Sequence, residues 1–219
     1  MQPLKVTIKL STPMVEPDSL LHLDGLLGAL KVKQVMAELG EGIDPRQHHY
    51  DLPLERYTSP SGEWVFKASA FRLAAEAPAQ VWMQTGRINL AEVARHRAEG
   101  WLAVRAAKPI IAGGPLKTSL YHEGLLWAEL TAYCVGDLEG VQALLKGCKQ
   151  IGGRRGVGFG RGAEITVAPV ADSECDWQYR IMPVDSGVSD DRYALAIAGL
   201  RAPYWDRTMH ATVRIPLAQ

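Results

Sequence analysis

The spacing of hydrophobic and polar positions predicts a strand followed by a helix near the start of the chain, and a helix followed by a strand further along. Residues 4–10 alternate apolar and polar side chains, which is typical of a half-buried strand. Leucines recur at helical intervals over residues 22–39, and Asp24 lies in the first turn, where the helix dipole favours negative charge. Residues 137–146 repeat the helical pattern, and a strand is expected over residues 164–170.

The remaining hydrophobic runs predict further strands and one more helix. Residues 62–73 are typical of a strand, and residues 80–85 are expected to pair with it. A short helix over residues 89–98 is expected to begin at Asn89 as its cap. The other expected strands are two halves of residues 120–135, divided at residues 122–124, and three short strands over residues 177–182, 193–197 and 211–215.

In chain order, these elements approximate an α+β fold with a ferredoxin-like (RRM-like) βαββαβ core. The core is interrupted by an insertion between about residues 40 and 110 and followed by an additional C-terminal β segment after residue 172. In such a core, the loop after the second helix lies near one end of the first helix. Gly25 and Gly28 of the first helix are therefore expected to face that loop. An irregular helix start is the alternative explanation of the two glycines.

The loop after the second helix carries the most distinctive chemistry of the sequence. Between residues 152 and 162, six of eleven residues are glycine and three are arginine. Glycine lets another chain approach closely, and arginine presents a planar fork of donors that fits phosphate. The combination favours a grip on a sugar–phosphate backbone, and a solvated glycine turn is the alternative. The candidate residues are Gly152, Gly153, Arg154, Arg155, Gly156, Val157, Gly158, Phe159, Gly160 and Arg161.

Two nucleotide-binding glycine motifs do not fit this loop. A Walker A loop ends in Gly-Lys-Ser/Thr, and residues 152–162 contain no lysine. A dinucleotide-binding loop opens a helix, whereas a strand is expected over residues 164–170. The sequence therefore predicts no nucleotide cofactor.

Composition narrows the class of protein. The chain has 219 residues, is 47% hydrophobic and 22% charged, and has a formal net charge of zero, so any nucleic-acid contact must come from local clusters. Its three cysteines form no metal pattern, the pair His48–His49 has no third ligand at metal spacing, and we expect no metal. We also expect a cytoplasmic protein without a membrane partner, because no signal-peptide region or spanning-length apolar run is present.

Two further clusters are candidate contact sites. Lys108 and Lys117 flank a second glycine-containing turn within a locally basic region, for which a solvated face is the alternative interpretation. The turn over residues 200–207 combines aromatic and arginine side chains, which suit stacking on a base, contact with a protein, or an ordinary packed corner. The residues concerned in this turn are Arg201, Tyr204, Trp205 and Arg207.

Two motifs together give a family resemblance. Leu23-Asp-Gly-Leu-Leu27 in the first helix, with residues 152–161 after the second, resembles the RAMP superfamily of CRISPR proteins. The Leu-Asp-Gly-Leu-Leu element, the length and the Ala202-Pro-Tyr-Trp205 turn are most similar to the Cas-five-type subunit of type IV effector complexes. The resemblance covers about residues 4–40 and 105–170. In the C-terminal part of the chain it rests on the Ala202–Trp205 turn alone.

The resemblance implies a ferredoxin-like RAMP domain over residues 1–171 and a C-terminal β extension over residues 172–219. A thumb-like β insertion at about residues 62–108 is expected to pack against the adjacent backbone subunit. The implied function is that of a non-catalytic subunit, without cofactor, that caps the 5′ handle of CRISPR RNA in an antiviral and anti-plasmid ribonucleoprotein with backbone and large subunits. Such a subunit stands near the adjacent motif of target double-stranded DNA, which makes the turn at residues 201–207 a candidate DNA contact.

The resemblance implies RNA contact only for the residues of the glycine loop. From their chemistry and position, His22 and Gly25 are further candidates, expected to form the opposite wall of the RNA site. Unpaired bases would be read there by hydrogen bonds and stacking. Lys108 and Lys117 are further RNA candidates. Two alternatives stay open. His22 close to Arg154 and Arg155 suits a Cas-six-type metal-independent RNA endonuclease, although a helix-start histidine that only contacts RNA is the simpler interpretation. The other is a purely structural assembly subunit without RNA contact.

Overall fold

The computed structural model describes residues 1–39, 48–78, 80–86, 90–100 and 119–217. Its architecture is mixed α/β, with several antiparallel sheets and three α-helices among these residues. The strands and helices in chain order are β1 (Gln2–Leu10), β2 (Met14–Val15), α1 (Leu23–Leu39), β3 (Arg56–Thr58), β4 (Trp64–Phe66), β5 (Arg72–Ala75), β6 (Gln80–Gly86), α2 (Leu90–Ala98), β7 (Ser119–Leu126), β8 (Ala128–Gly136), α3 (Leu138–Leu145), β9 (Gly162–Pro169), β10 (Tyr193–Gly199) and β11 (His210–Pro216).

The largest sheet has the strand order β5-β8-β1-β9, and every neighbouring pair is antiparallel. Val6 at the centre of β1 lies opposite Ala132 of β8 and Val167 of β9. Alternate residues of β1 and β8 are buried, as the period-two pattern of residues 4–10 predicts. The helices α1 and α3 pack against this sheet.

The helices α1 and α3 cover one face of this sheet. Asp137 caps α3 by accepting a hydrogen bond of 2.7 Å from the N–H of Gly140, which satisfies one of the free donors of the first turn. The helices contact each other, and α3 also contacts β9. The main hydrophobic core lies between sheet and helices and includes Leu4, Val6, Ile8, Leu23, Leu27, Leu130, Ala132, Val141, Leu145 and Ile151.

The C-terminal segment builds a second, smaller core. The antiparallel pair β10 and β11 joins β4 and the segment around Met182 through a cluster of buried side chains. The buried members of this cluster are Val65, Ile181, Met182, Tyr193, Leu200 and Val213.

Contacts divide the chain into two compact units. One comprises Met1–Pro78 with Leu126–Gln219 and contains the large sheet, α1, α3 and the C-terminal segment. The other comprises Ala79–Leu125, in which β6 pairs antiparallel with β7 from Gln80 opposite Leu125 to Gly86 opposite Ser119. No helix in the described part of the chain is long and apolar enough to cross a membrane.

The predicted elements at both ends of the core are confirmed. The strand over residues 4–10, the two helices, the strand over residues 164–170 and the last two short strands all form, with bounds that differ by a few residues. The helix α2 also forms, whereas its expected cap Asn89 lies outside the described residues.

Four details of the predicted strands are wrong. Residues 62–73 form two strands, because the backbone between them bonds to several different segments: Lys67 N–H to Glu55, Ser69 N–H to Tyr133 and Ala70 N–H to Tyr179. Residues 80–85 pair with β7 instead of residues 62–73. The break within residues 120–135 lies at residue 127 instead of residues 122–124. Residues 177–182, which were expected to form a strand, form turns around a buried arginine.

That arginine, Arg180, is fully buried and holds the C-terminal segment to α1. Its guanidinium donates to Asp24 Oδ2 at 3.1 Å and to Tyr204 Oη at 2.9 Å. Burial opposes its charge, but Asp24 and Tyr204 outweigh this and raise the pKa of Arg180. The same guanidinium also donates to four backbone carbonyls, those of Phe66, Ala68, Ile181 and Leu200, so one of its five N–H groups is shared between two acceptors.

We expect Arg180→Met to lower the free energy of unfolding by about 3–5 kcal/mol, because it leaves the buried carboxylate of Asp24 without its counter-charge. Arg201→Met is the matched control: its partner Glu63 is 53% exposed, so we expect a loss of no more than about 1 kcal/mol. Urea denaturation of both variants measures the difference. Equal losses in the two variants would contradict a structural role for the buried pair.

Candidate functional site

A groove of about 510 Å³ brings together three of the segments that the sequence singles out. One wall is the start of α1, with His22 and Gly25, and another is the glycine loop, with Gly152, Gly153 and Arg155. The turn over residues 202–205 completes it. We call this space the groove.

The glycine loop folds as a series of turns that most residues do not adopt readily. Gly152, Gly158 and Gly160 have φ angles of 86°, 101° and 68°, and Arg154 is left-handed at 53°. A Cβ atom at Gly160 would lie 1.9 Å from the carbonyl oxygen of Ile151, so only glycine fits there. The loop is thus a defined structure, not a free chain.

Two polar side chains hold the loop in this shape. Gln150 Nε2 donates to the carbonyl of Arg155 at 2.9 Å and to that of Phe159 at 3.3 Å. Thr12 Oγ1 donates to the carbonyl of Gly158 at 3.0 Å and accepts from the N–H of Arg161 at 2.9 Å. These bonds occupy three carbonyls and one N–H of the loop.

The outer side of the loop presents donors and positive charge. The side chains of Arg155 and Arg161 are exposed and form no ion pair with any described residue. The backbone N–H groups of Gly152, Gly153 and Arg155 make no hydrogen bond to any residue that the structure describes. Gly156 and Val157 are also exposed, while Gly158 and Phe159 are half-buried. Unpaired donors beside guanidinium groups are suited to bind an anion.

The wall formed by α1 is less polar than the sequence indicates. His22 is only 3% exposed and stacks on the ring of Tyr204 with centroids 4.2 Å apart. A Cβ atom at Gly25 would lie 3.2 Å from the Tyr204 ring, and one at Gly28 would lie 3.1 Å from the carbonyl oxygen of His49. The prediction that Gly28 faces the glycine loop is therefore wrong, whereas Gly25 packs against Tyr204 and lines the same groove as the loop.

The imidazole of His22 is neutral at physiological pH. Burial, reinforced by the nearby charge of Arg180, lowers its pKa to about 3, and Asp24 opposes this only in part. Neither of its ring nitrogens finds a hydrogen-bond partner among the described residues. A general base works best with a pKa near the working pH, so His22 is poorly matched to proton transfer.

The turn over residues 200–207 is anchored inward more than expected. Tyr204 is not an exposed stacking surface, since its hydroxyl donates to Asp24 at 2.8 Å, and burial raises its pKa well above its usual value. Arg201 is also engaged, with Glu63 at 2.7 Å and the carbonyl of Trp64 at 2.8 Å. Trp205 and Arg207 are the exposed members of the turn.

Lys108 and Lys117 lie outside the described residues. Within the part that the structure describes, no group of three or more His, Cys, Asp or Glu side chains is placed to hold a metal ion. His48 instead pairs with Asp51 at 3.1 Å.

Sequence reasoning missed Arg180, the residue that connects two walls of the groove. Its own neighbourhood, Tyr179 to Met182, has the pattern of a strand, and nothing local marks it as buried. The available signal was indirect: Asp24 lies in an apolar helix face, and a buried carboxylate requires a partner.

Gly160→Ala is expected to lower the free energy of unfolding by about 1–3 kcal/mol and to distort the loop, because the new Cβ collides with the Ile151 carbonyl. Gly156→Ala is the matched control, because a Cβ atom there meets nothing within 4 Å. Chemical denaturation compares the two. If Gly156→Ala is the more damaging change, the described loop conformation is incorrect.

His22→Phe is expected to flatten the pH dependence of stability below neutrality. The folded pKa of His22, about 3, lies below its ordinary value of 6.5, so the unfolded chain takes up a proton first as the pH falls. The free energy of unfolding of the wild type therefore falls as the pH drops below about 6.5. Between pH 7 and pH 5, we expect it to fall by about 2 kcal/mol more in the wild type than in His22→Phe. Urea midpoints at the two pH values test this, and equal pH slopes would show that His22 is not buried neutral.

Comparison with known proteins gives one family assignment. No curated protein matches the chain. The model of the family described as CRISPR type IV associated protein Csf3 matches residues 2–216. Because this match spans nearly the whole chain, the protein belongs to the Csf3 family of type IV CRISPR-associated proteins.

Proposed function

We propose that the protein is a non-catalytic, Cas-five-like subunit of a type IV CRISPR effector complex that binds and caps the 5′ handle of CRISPR RNA in the groove. The observation that carries this proposal is the glycine loop, whose exposed Arg155 and unpaired N–H groups line the same space as the start of α1, while the exposed Arg161 lies further along the same loop. RNA phosphates would lie on the loop, with unpaired bases directed toward the α1 wall.

The charge of the loop supports this proposal because the chain as a whole is neutral. A protein with a formal net charge of zero attracts nucleic acid only where its cations are concentrated. Arg155 and Arg161 are exposed and are not neutralised by a carboxylate in the described part of the chain. Each phosphate held by such a group releases counterions, which makes affinity depend on salt.

The topology of the large sheet supports membership in the RAMP superfamily. The strand order β5-β8-β1-β9, with α1 after β1 and α3 between β8 and β9, is consistent with the ferredoxin-like βαββαβ core that we propose. We propose that this core spans residues 1–171 and that residues 172–219 are a β extension packed on it. The thumb expected at about residues 62–108 would contact the backbone subunit through its part in the compact unit Ala79–Leu125, because β5 within the expected range belongs to the large sheet.

Further partners follow from the same proposal. In the complex, the protein would also meet a large subunit and lie near target double-stranded DNA, for which the exposed Arg207 is a candidate contact. Lys108 and Lys117 stay candidate RNA contacts. We place this activity in the cytoplasm, within defence against viruses and plasmids.

The two alternatives receive less support. An RNA endonuclease centred on His22 requires a base that accepts a proton near neutral pH, whereas the pKa of His22 is lowered to about 3. A purely structural subunit requires the glycine loop to pack against protein, and it gives no account of the exposed charges of Arg155 and Arg161.

The double variant Arg155→Ala/Arg161→Ala tests the proposal. We expect it to bind single-stranded repeat-derived RNA more weakly, with the slope of log affinity against log salt reduced by about 0.7 for each phosphate that the protein no longer binds. Filter binding over a salt series measures both quantities. Lys33→Ala is the control, since Lys33 is an exposed cation of α1 that does not line the groove.

Unchanged affinity and unchanged salt slope in the double variant would exclude the loop as a phosphate grip. That result would favour the structural alternative, provided that Lys33→Ala behaves like the wild type.

A further inference from the structure

One large side chain at the groove has no evident packing role. Trp205 is 75% exposed and lines the groove. It makes no ring contact or hydrogen bond with any residue that the structure describes. A tryptophan contributes to stability by burying its large apolar surface, which Trp205 does not do. This residue is therefore available to a ligand.

The backbone that carries Trp205 is held on both sides. Before it, the ring of Tyr204 stacks on His22, and the carbonyl of Ala202 accepts a hydrogen bond of 2.8 Å from Tyr50. After it, Asp206 Oδ1 accepts from the N–H of Thr208 at 3.0 Å. The indole thus stands at the groove on a fixed backbone, and little entropy is lost when a ligand stacks on it.

The glycine-loop wall of the groove supplies the complementary chemistry. Arg155 brings positive charge, and the N–H groups of Gly152 and Gly153 are unpaired within the described chain. A ligand that satisfies both sides has an aromatic face and an anionic group within one groove. The volume of about 510 Å³ falls in the range of small-molecule sites, about 300–1,000 Å³, so it suits a single unpaired nucleotide and not a duplex.

We propose that Trp205 is a base-stacking residue of the RNA groove. Its indole stacks on one unpaired nucleobase whose phosphate lies on Arg155 and on the N–H groups of Gly152 and Gly153. This inference rests on the proposed function and assigns Trp205 to RNA instead of to target DNA. Stacking tolerates any base, so Trp205 fixes the position of one nucleotide and not its identity.

The test combines protein variants with RNAs that each lack one base. Full-length protein is titrated with single-stranded repeat-derived RNA in which an abasic residue, which keeps the phosphate, replaces one nucleotide at a time. Trp205→Ala is expected to weaken binding of intact RNA about 5- to 150-fold, the range for stacking on one base. Trp205→Phe is expected to retain most of the affinity.

For one position of the abasic residue, the wild type is expected to bind the abasic RNA more weakly than the intact RNA. Trp205→Ala is expected to bind these two RNAs equally well. That non-additivity identifies the stacked nucleotide. Ile197→Ala is the matched control, because Ile197 is 77% exposed and does not line the groove. It should bind as the wild type does, and circular dichroism should show all variants folded.

Wild-type affinity of Trp205→Ala for every RNA would overturn the inference. So would a variant that binds RNA normally but loses target duplex DNA or partner subunits, since Trp205 would then serve that partner. These results are separable from failure of the proposed function. If Arg155→Ala/Arg161→Ala loses RNA while Trp205→Ala does not, only the stacking role is wrong.

Discussion

The buried ion pair between Asp24 and Arg180 fixes the start of α1 against the C-terminal segment, and two walls of the groove depend on it. Both charges are removed from water, so their desolvation must be offset by hydrogen bonds of good geometry. Arg180 meets this condition with a carboxylate, the Tyr204 hydroxyl and four carbonyls. Since Tyr204 also bonds to Asp24 and stacks on His22, the position of the turn that carries Trp205 follows from this network.

The Leu-Asp-Gly-Leu-Leu element therefore has a structural explanation in this chain. Leu23 and Leu27 enter the main core, Asp24 holds Arg180, and Gly25 leaves room for the Tyr204 ring. The element thus positions the α1 wall of the groove, to which it contributes Gly25 and Leu26. The groups that the groove offers to a ligand come mainly from the glycine loop and from Trp205.

The periodic elements were predictable from sequence because each depends on local residues. The strand β1 and the helices α1 and α3 have regular spacing of buried positions, and the glycine loop is evident from its composition. The non-local features were not predictable. Residues 62–73 change backbone partners several times, and Arg180 is buried only because Asp24, distant in sequence, lies beside it. Tyr204 faces inward for the same reason.

The central claim is that the groove clasps a ribonucleotide strand. The most direct measurement is ultraviolet crosslinking of the complex purified with the products of neighbouring genes, followed by mass spectrometry of the peptide–RNA adducts. The account predicts adducts on the peptide that contains residues 152–161, with the repeat-derived 5′ end of the RNA. Adducts confined to other surfaces of the protein, or a complex in which this chain yields none, would contradict it.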